Sequence, residues 1–361
     1  MNAPSVLNDL LKERIVILDG AVGTMIQARK LQEADYRSER FRDWTRDVMG
    51  NNDLLNLTQP GVIQAIHREY LEAGADIIET NTFNSTTISM ADYGMETIAV
   101  ELNLAGARNA RAAADAFMAA NPGRTCFVAG ALGPTNKTAS LSPDVQNPAY
   151  RAITYDELVK VYYEQTRALV EGGVDLLLVE TCQDILQAKC ALYGVNRARR
   201  ALSSDTPVAC QVTIDVNGAM LLGTEIGAAL ATLEPFDLEF IGMNCATGPE
   251  LMNDAIRYLG HNCPRRVSCQ PNAGLPRNEG GRTVFPLSPE ELAKWQRLFV
   301  TEYGVSVVGG CCGTTPAHLK AVAEAVAGLE PKRREPRYTP SVASCYTAVP
   351  LDLDPKPVVI A

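Results

Sequence analysis

The chain has 361 residues, 46% hydrophobic and 21% charged, the proportions of an ordinary globular protein with room for one large domain or two smaller ones. Its 33 basic and 42 acidic residues leave a formal charge of −9, which excludes a broad electrostatic drive toward nucleic acid or an anionic membrane and suits a small neutral or zwitterionic partner. Residues 1–11 lack the basic start and apolar stretch of a signal peptide, and no run approaches the ~20 apolar residues of a spanning helix, so a cytoplasmic location is expected, with the ten cysteines as buried thiols or metal ligands and not disulfides.

In chain order, short β-rich apolar runs alternate with longer amphipathic segments. The runs cover residues 15–18, 76–80, 126–132, 175–180, 207–213, 238–244, 267–271 and 305–309, eight in all. Apolar spacings of three and four predict helices between them, most clearly over 60–73, 154–171 and 315–327. Thr315-Pro316 gives the last an N-cap and a first-turn proline. Residues 27–56 break the rhythm with a long charged excursion after the first run, read as a cover for the site. From Pro331 onward six prolines (Pro331, Pro336, Pro340, Pro350, Pro355, Pro357) mark a linker or tail. The expected organisation is a barrel over residues 1–330 and a proline-rich tail over 331–361.

Near-continuous apolar strands alternating with helices imply a parallel sheet covered on both faces, and eight units predict an α/β fold of the (β/α)8 TIM-barrel type. Each run leads directly into polar or glycine-rich residues: Asp19-Gly20, Thr80-Asn81-Thr82, Gly133-Pro134-Thr135, Glu180-Thr181, Thr213 to Asp215, Asn244-Cys245, Asn272-Ala273-Gly274, and Gly309 to Gly313. Barrel enzymes assemble their sites on this C-terminal rim.

Two of these rim segments carry thiols. Gly309-Gly310-Cys311-Cys312-Gly313-Thr314 follows the eighth run, and Cys245 ends the sixth. A vicinal pair can be two packed core thiols or a redox couple. Flanking glycines that permit a sharp turn, and a third thiol one strand away, favour a shared metal ion. Three thiolates without paired histidines suit zinc, and three protein ligands leave a position open to a substrate. Unperturbed thiols ionise near pH 8.5, so a metal that stabilises the thiolate would prepare a substrate sulfur for attack on an electrophilic carbon. His67 and His318, in helix segments, and His261, beside Cys263, read as surface or satisfied histidines.

Ile17-Leu18-Asp19-Gly20-Ala21-Val22-Gly23-Thr24, Gly242-Met243-Asn244-Cys245 and the Gly309–Thr314 segment resemble the homocysteine S-methyltransferase family. The text of residues 51–60, 73–86 and 133–140 is similar to the homocysteine-binding barrel of its cobalamin-dependent methionine synthase branch, and the likeness runs from about residue 15 to 327. The resemblance implies that Cys245, Cys311 and Cys312 are catalytic zinc ligands and that L-homocysteine binds at the same rim. It implies that Asp19 and Glu180 receive the substrate ammonium, though either could be a loop-capping or ion-paired carboxylate. Asn272 would fill the fourth zinc position until substrate arrives, or be an ordinary turn residue. The backbone around Ala131 to Gly133 would meet the substrate carboxylate, and Glu79 and Thr80 would line or brace the pocket.

Methionine synthases of this branch continue into folate- and cobalamin-binding modules, and the tail resembles the linker to the first of these. The Asp-x-His-x-x-Gly cobalamin signature is absent: Ala65, Leu259 and Pro316 stand two before His67, His261 and His318. The expectation is therefore methyl transfer from methylcobalamin held on a separate protein or missing module. S-methylmethionine, S-adenosylmethionine or betaine is the alternative donor. A non-catalytic, zinc-stabilised partner subunit is the reading from another class. Residues 214–223 depart from the family pattern after the fifth run, which puts that part of the rim in doubt.

Overall fold

The computed structural model describes residues 3–280 and 282–352. All eight predicted runs form strands: β1 (Val16–Ile17), β2 (Ile77–Glu79), β3 (Phe127–Leu132), β4 (Leu176–Cys182), β5 (Val208–Val212), β6 (Phe240–Asn244), β7 (Arg266–Gln270) and β8 (Val307–Val308). They lie parallel in one sheet, with β2 through β8 in chain order and β8 returning to pair with β1. At the remaining seam a single parallel bridge joins Leu18 to Ile77, so the barrel is nearly closed. The predicted helices appear as Pro60–Glu72, Tyr155–Glu171 and Pro316–Val326. Thr154 and Glu157 cap each other reciprocally at the start of the second.

Strand alternation divides the barrel interior into layers. Val16, Leu18, Ile77, Phe127, Ala129, Leu176, Leu178, Ala209, Phe240 and Val307 form a separate buried cluster with Leu7 and Leu11. Those two leucines belong to a helix, Ala3–Glu13, that the sequence reading did not anticipate; it packs into the same apolar cluster. Toward the C-terminal ends the same inward register turns polar. Gln211 donates to Ser268 at 2.9 Å, and Glu79, Glu180, Asn244 and Gln270 follow two residues further along their strands.

The excursion at 27–56 is packed into the protein. Its Tyr36, Phe41, Val48, Leu54 and Leu55 join the main core. Its buried amides hold the segment after β2: Asn56 donates to the Asn81 carbonyl at 2.6 Å, and Asn81 to that of Asn52 at 2.8 Å. Asp53 accepts from the Asn84 N–H at 2.7 Å and the Ser85 hydroxyl at 2.8 Å. Buried backbone groups need partners, and here side chains supply them.

Residues 331–352 also have a defined course. Lys332 and Arg334 donate to carbonyls at the ends of the helices Pro289–Tyr303 and Pro249–Asn262, where cations complement the helix dipole. A hairpin of Ser341–Ala343 and Ala348–Pro350 lies beside the helix Ile226–Leu233, and the Tyr346 carbonyl accepts from Glu225 N–H at the start of that helix. Pro355 and Pro357 lie outside the described residues. No helix among the described residues is long and apolar enough to cross a membrane.

Candidate active site

The sulfur cluster is built by three adjacent strand ends. The Cys245 N–H donates to Gln270 O at 3.1 Å, that of Cys311 to Pro271 O at 2.9 Å, and that of Ala273 to Cys312 O at 2.9 Å. The end of β7 thus splices the end of β6 to that of β8. Gly309 runs so close to β1 that a Cβ there would stand 2.3 Å from Leu18 O. Gly313 adopts φ +79° against the Phe285 ring, closing a turn in which Thr314 Oγ1 donates to Cys311 O at 2.6 Å. Cys245 and Ala246 both sit at φ 60°, left-handed backbone that disfavours side chains by about 1–2 kcal/mol per residue. Such strain persists where the surroundings over-determine it.

This architecture brings the predicted thiols together. Cys245 Sγ and Cys312 Sγ are 3.7 Å apart, and all three sulfurs lie within 4.8 Å of one another. Zinc–sulfur bonds of about 2.3 Å in a tetrahedron space the sulfurs about 3.8 Å apart, so the donor set fits that ion. The thiols share a single ready ionisation. Hydrogen bonds from Cys311, then from Cys312, pull Cys245 down to about 3. Donation to Cys245 raises Cys311 and pushes Cys312 up to about 12. A cation at the centre would relieve that crowding of charge.

Beside the sulfurs lies a buried acidic layer. Asp19 is fully buried; its Oδ2 accepts from Glu79 N–H at 3.1 Å, and its Oδ1 has no hydrogen-bond partner among the described residues. Burial, and then the Glu79 charge, raise the Asp19 carboxyl well above the usual carboxylate range. Burial and Glu79 raise Glu180 likewise, and burial raises Glu79 to about 7 against the relief of a hydrogen bond from Gln270. None of the three has an arginine or lysine ion pair among the described residues. Gln270 Oε1 and Asn272 Oδ1 are further buried acceptors without a partner there. Each such atom costs about 1–3 kcal/mol, and a small cation carrying several N–H donors would satisfy them.

Asn272 is buried beside the sulfur cluster, its amide donating toward Cys245. Ala131 and Gly133 end β3, but their N–H groups are engaged: Ala131 donates to Thr80 Oγ1 at 3.0 Å and Gly133 to Phe83 O at 3.2 Å. Sequence reading gave no role to Asn244 or Gln270, although their inward register two residues beyond Gly242 and Ser268 could have signalled them. Nor did it single out Thr181, held at φ 55°. His318 is satisfied by Thr315 and the Leu287 carbonyl. His67 corrects the expectation: fully buried, with neither ring nitrogen partnered among the described residues, it is driven down to about 4 by burial.

The structure is thus a (β/α)8 barrel with three thiols and buried carboxylates on its C-terminal rim. The profile of the homocysteine S-methyltransferase family matches residues 16–326, and the chain belongs to that family. Its fold is shared with the homocysteine methyltransferase MmuM from Escherichia coli. The metallated form is 24% identical with a TM-score of 0.69, over 90% of this chain and 99% of that one. The apo form is 22% identical with a TM-score of 0.64, over 90% and 100%.

Proposed function

We propose that this protein transfers a methyl group to the sulfur of L-homocysteine, giving L-methionine, with zinc held by Cys245, Cys311 and Cys312. The observation that carries the reading is the meeting, at one strand-end rim, of three sulfurs spaced for zinc and buried acceptors that suit an ammonium. When bound, zinc supplies a Lewis-acidic centre that keeps the substrate thiol ionised near neutral pH. Asp19 and Glu180 receive the α-ammonium, with Gln270 Oε1 adjacent, and so orient the amino-acid end. Asn272 Oδ1, buried and without a partner among the described residues, would offer the metal a further oxygen ligand. The end of β3, Ala131 to Gly133, is the proposed carboxylate side, and for Ala131 and Gly133 to donate there their N–H groups must leave Thr80 Oγ1 and Phe83 O. The substrate sulfur forms the new S–CH3 bond as the bond from methyl to donor breaks, and the leaving group keeps that electron pair.

Methylcobalamin on a separate protein or module is the donor favoured by the residue text at 51–60, 73–86 and 133–140. S-methylmethionine, S-adenosylmethionine or betaine is the alternative donor. Supplying methylcobalamin, S-methylmethionine, S-adenosylmethionine and betaine singly, and measuring methionine formed, separates them. The cytosol, where ten free thiols stay reduced, is the fitting location.

Zinc-edge X-ray absorption with and without L-homocysteine tests the core of the proposal. A shell of three sulfurs that gains a fourth on adding substrate is the expected result. A shell unchanged by homocysteine would instead support a structural zinc and a non-catalytic partner subunit, and absence of metal after anaerobic purification would overturn the reading.

A further inference from the structure

The Asn244 side chain touches both the acidic layer and the sulfur cluster. It is buried at the end of β6, next to Cys245. Its Nδ2 donates to Glu180 Oε2 at 3.1 Å and to Thr181 Oγ1 at 2.7 Å, and lies 3.9 Å from Cys311 Sγ. Its Oδ1 accepts from the Thr181 N–H at 2.8 Å. Both faces of the amide are therefore spent on the end of β4. Thr181 is β-branched, and its φ of 55° is unfavourable for such a side chain. Thr181 Oγ1 in turn lies 3.2 Å from Glu180 Oε2.

We propose that Asn244 is a positioning residue that fixes the Glu180 carboxylate relative to the sulfur cluster, so that amino-group recognition and thiol seating act as one rigid unit. The substrate's two anchoring groups are separated by a short carbon chain, and a tether between their receivers sets which chain fits. Without the amide, Thr181 loses the hydrogen bond that holds it in left-handed backbone, and Glu180 loses a donor that aims it. The sulfur cluster keeps its own backbone framework through Gln270 O, Pro271 O and Ala273 N–H, so metal binding persists.

This inference rests on the proposed homocysteine reading, and its test separates the two. The probe pair is L-homocysteine and 4-mercaptobutanoate, the same thiol acid without the amino group, measured by calorimetry on the zinc-loaded full chain with zinc content assayed in parallel. Wild type is expected to prefer homocysteine. In Asn244→Ala that preference falls tenfold or more, through weaker homocysteine binding, while affinity for 4-mercaptobutanoate and zinc content stay as in wild type. An undiminished preference, or equal weakening of both ligands as from general disorder, overturns the proposal. Should Asn244→Ala not fold, Thr181→Gly serves, because glycine tolerates this backbone and the side chain lost carries the hydroxyl between Asn244 and Glu180. A smaller fall in the same preference is then expected, and none overturns the proposal. If wild type binds neither ligand or binds both alike, the functional reading itself fails and this inference with it.

Discussion

Replacing Glu79 by glutamine should stabilise the ligand-free protein at alkaline pH and leave it unchanged in acid. Glu79 is half-buried, accepts from Gln270 Nε2 at 3.2 Å, and shares a hydrogen bond with Glu180. Burial raises it from 4.5 to about 7. The native state thus holds a proton that the unfolded chain has released across that interval. Stability tied to this group is present below the unfolded value and lost as pH rises through the folded one. At about 1.4 kcal/mol per pH unit of that displacement, the ionised carboxylate costs the native state on the order of 3 kcal/mol by about pH 8. Glutamine keeps the acceptor for Gln270 and offers an amide donor to Glu180, so the cost disappears. With an unfolding entropy of about 2 cal/mol/K per residue, the gain for a chain of this size is roughly 4 °C in Tm. Calorimetry of metal-free wild type and Glu79→Gln at about pH 4, below the unfolded value, and about pH 8.5, above the folded one, reads it directly. A variant that melts below wild type at the higher pH, or by the same margin at both, would refute the account of a buried, charge-crowded layer.

Cys312→Ala should lose bound zinc, read by elemental analysis, while circular dichroism stays native because the barrel core is packed without the metal. Asp19→Asn removes the carboxyl group proposed to receive the substrate amino group and should weaken homocysteine binding about 10- to 100-fold with zinc content unchanged, measured by calorimetry. Gly313→Ala places a methyl 2.1 Å from the Phe285 ring at φ +79°; a loss of about 1–3 kcal/mol in denaturant titration and weaker zinc retention are expected. Arg334 donates to Cys263 O at 2.8 Å and Gly260 O at 3.2 Å, so Arg334→Met should cost about 2–4 kcal/mol in the same titration, with activity per folded molecule unaltered.

Much of this protein can be read from the chain alone because its period is strong. Eight buried strands write themselves as apolar runs, and their C-terminal ends carry residues that a barrel core would reject. Cys245, Cys311, Cys312, Asp19 and Glu180 stand out for that reason, and they do meet at one rim. The shared rim of strands six and eight follows from counting strands. Harder to read were the residues whose meaning depends on what faces them. Leu7 and Leu11 form an unremarkable amphipathic helix until the apolar end of the barrel receives them. Nothing in the charged excursion's sequence shows that its amides hold backbone carbonyls. A proline-rich tail suggests a free linker, but Arg334 and Tyr346 fix it along the barrel. Sequence determined the periodicity, the strand count and the chemical inventory, which are local. Only the tertiary structure decided that Glu79 crowds Asp19 and Glu180, and that Asn244 bridges Glu180 to the sulfurs, because burial and charge proximity arise between strands distant in sequence.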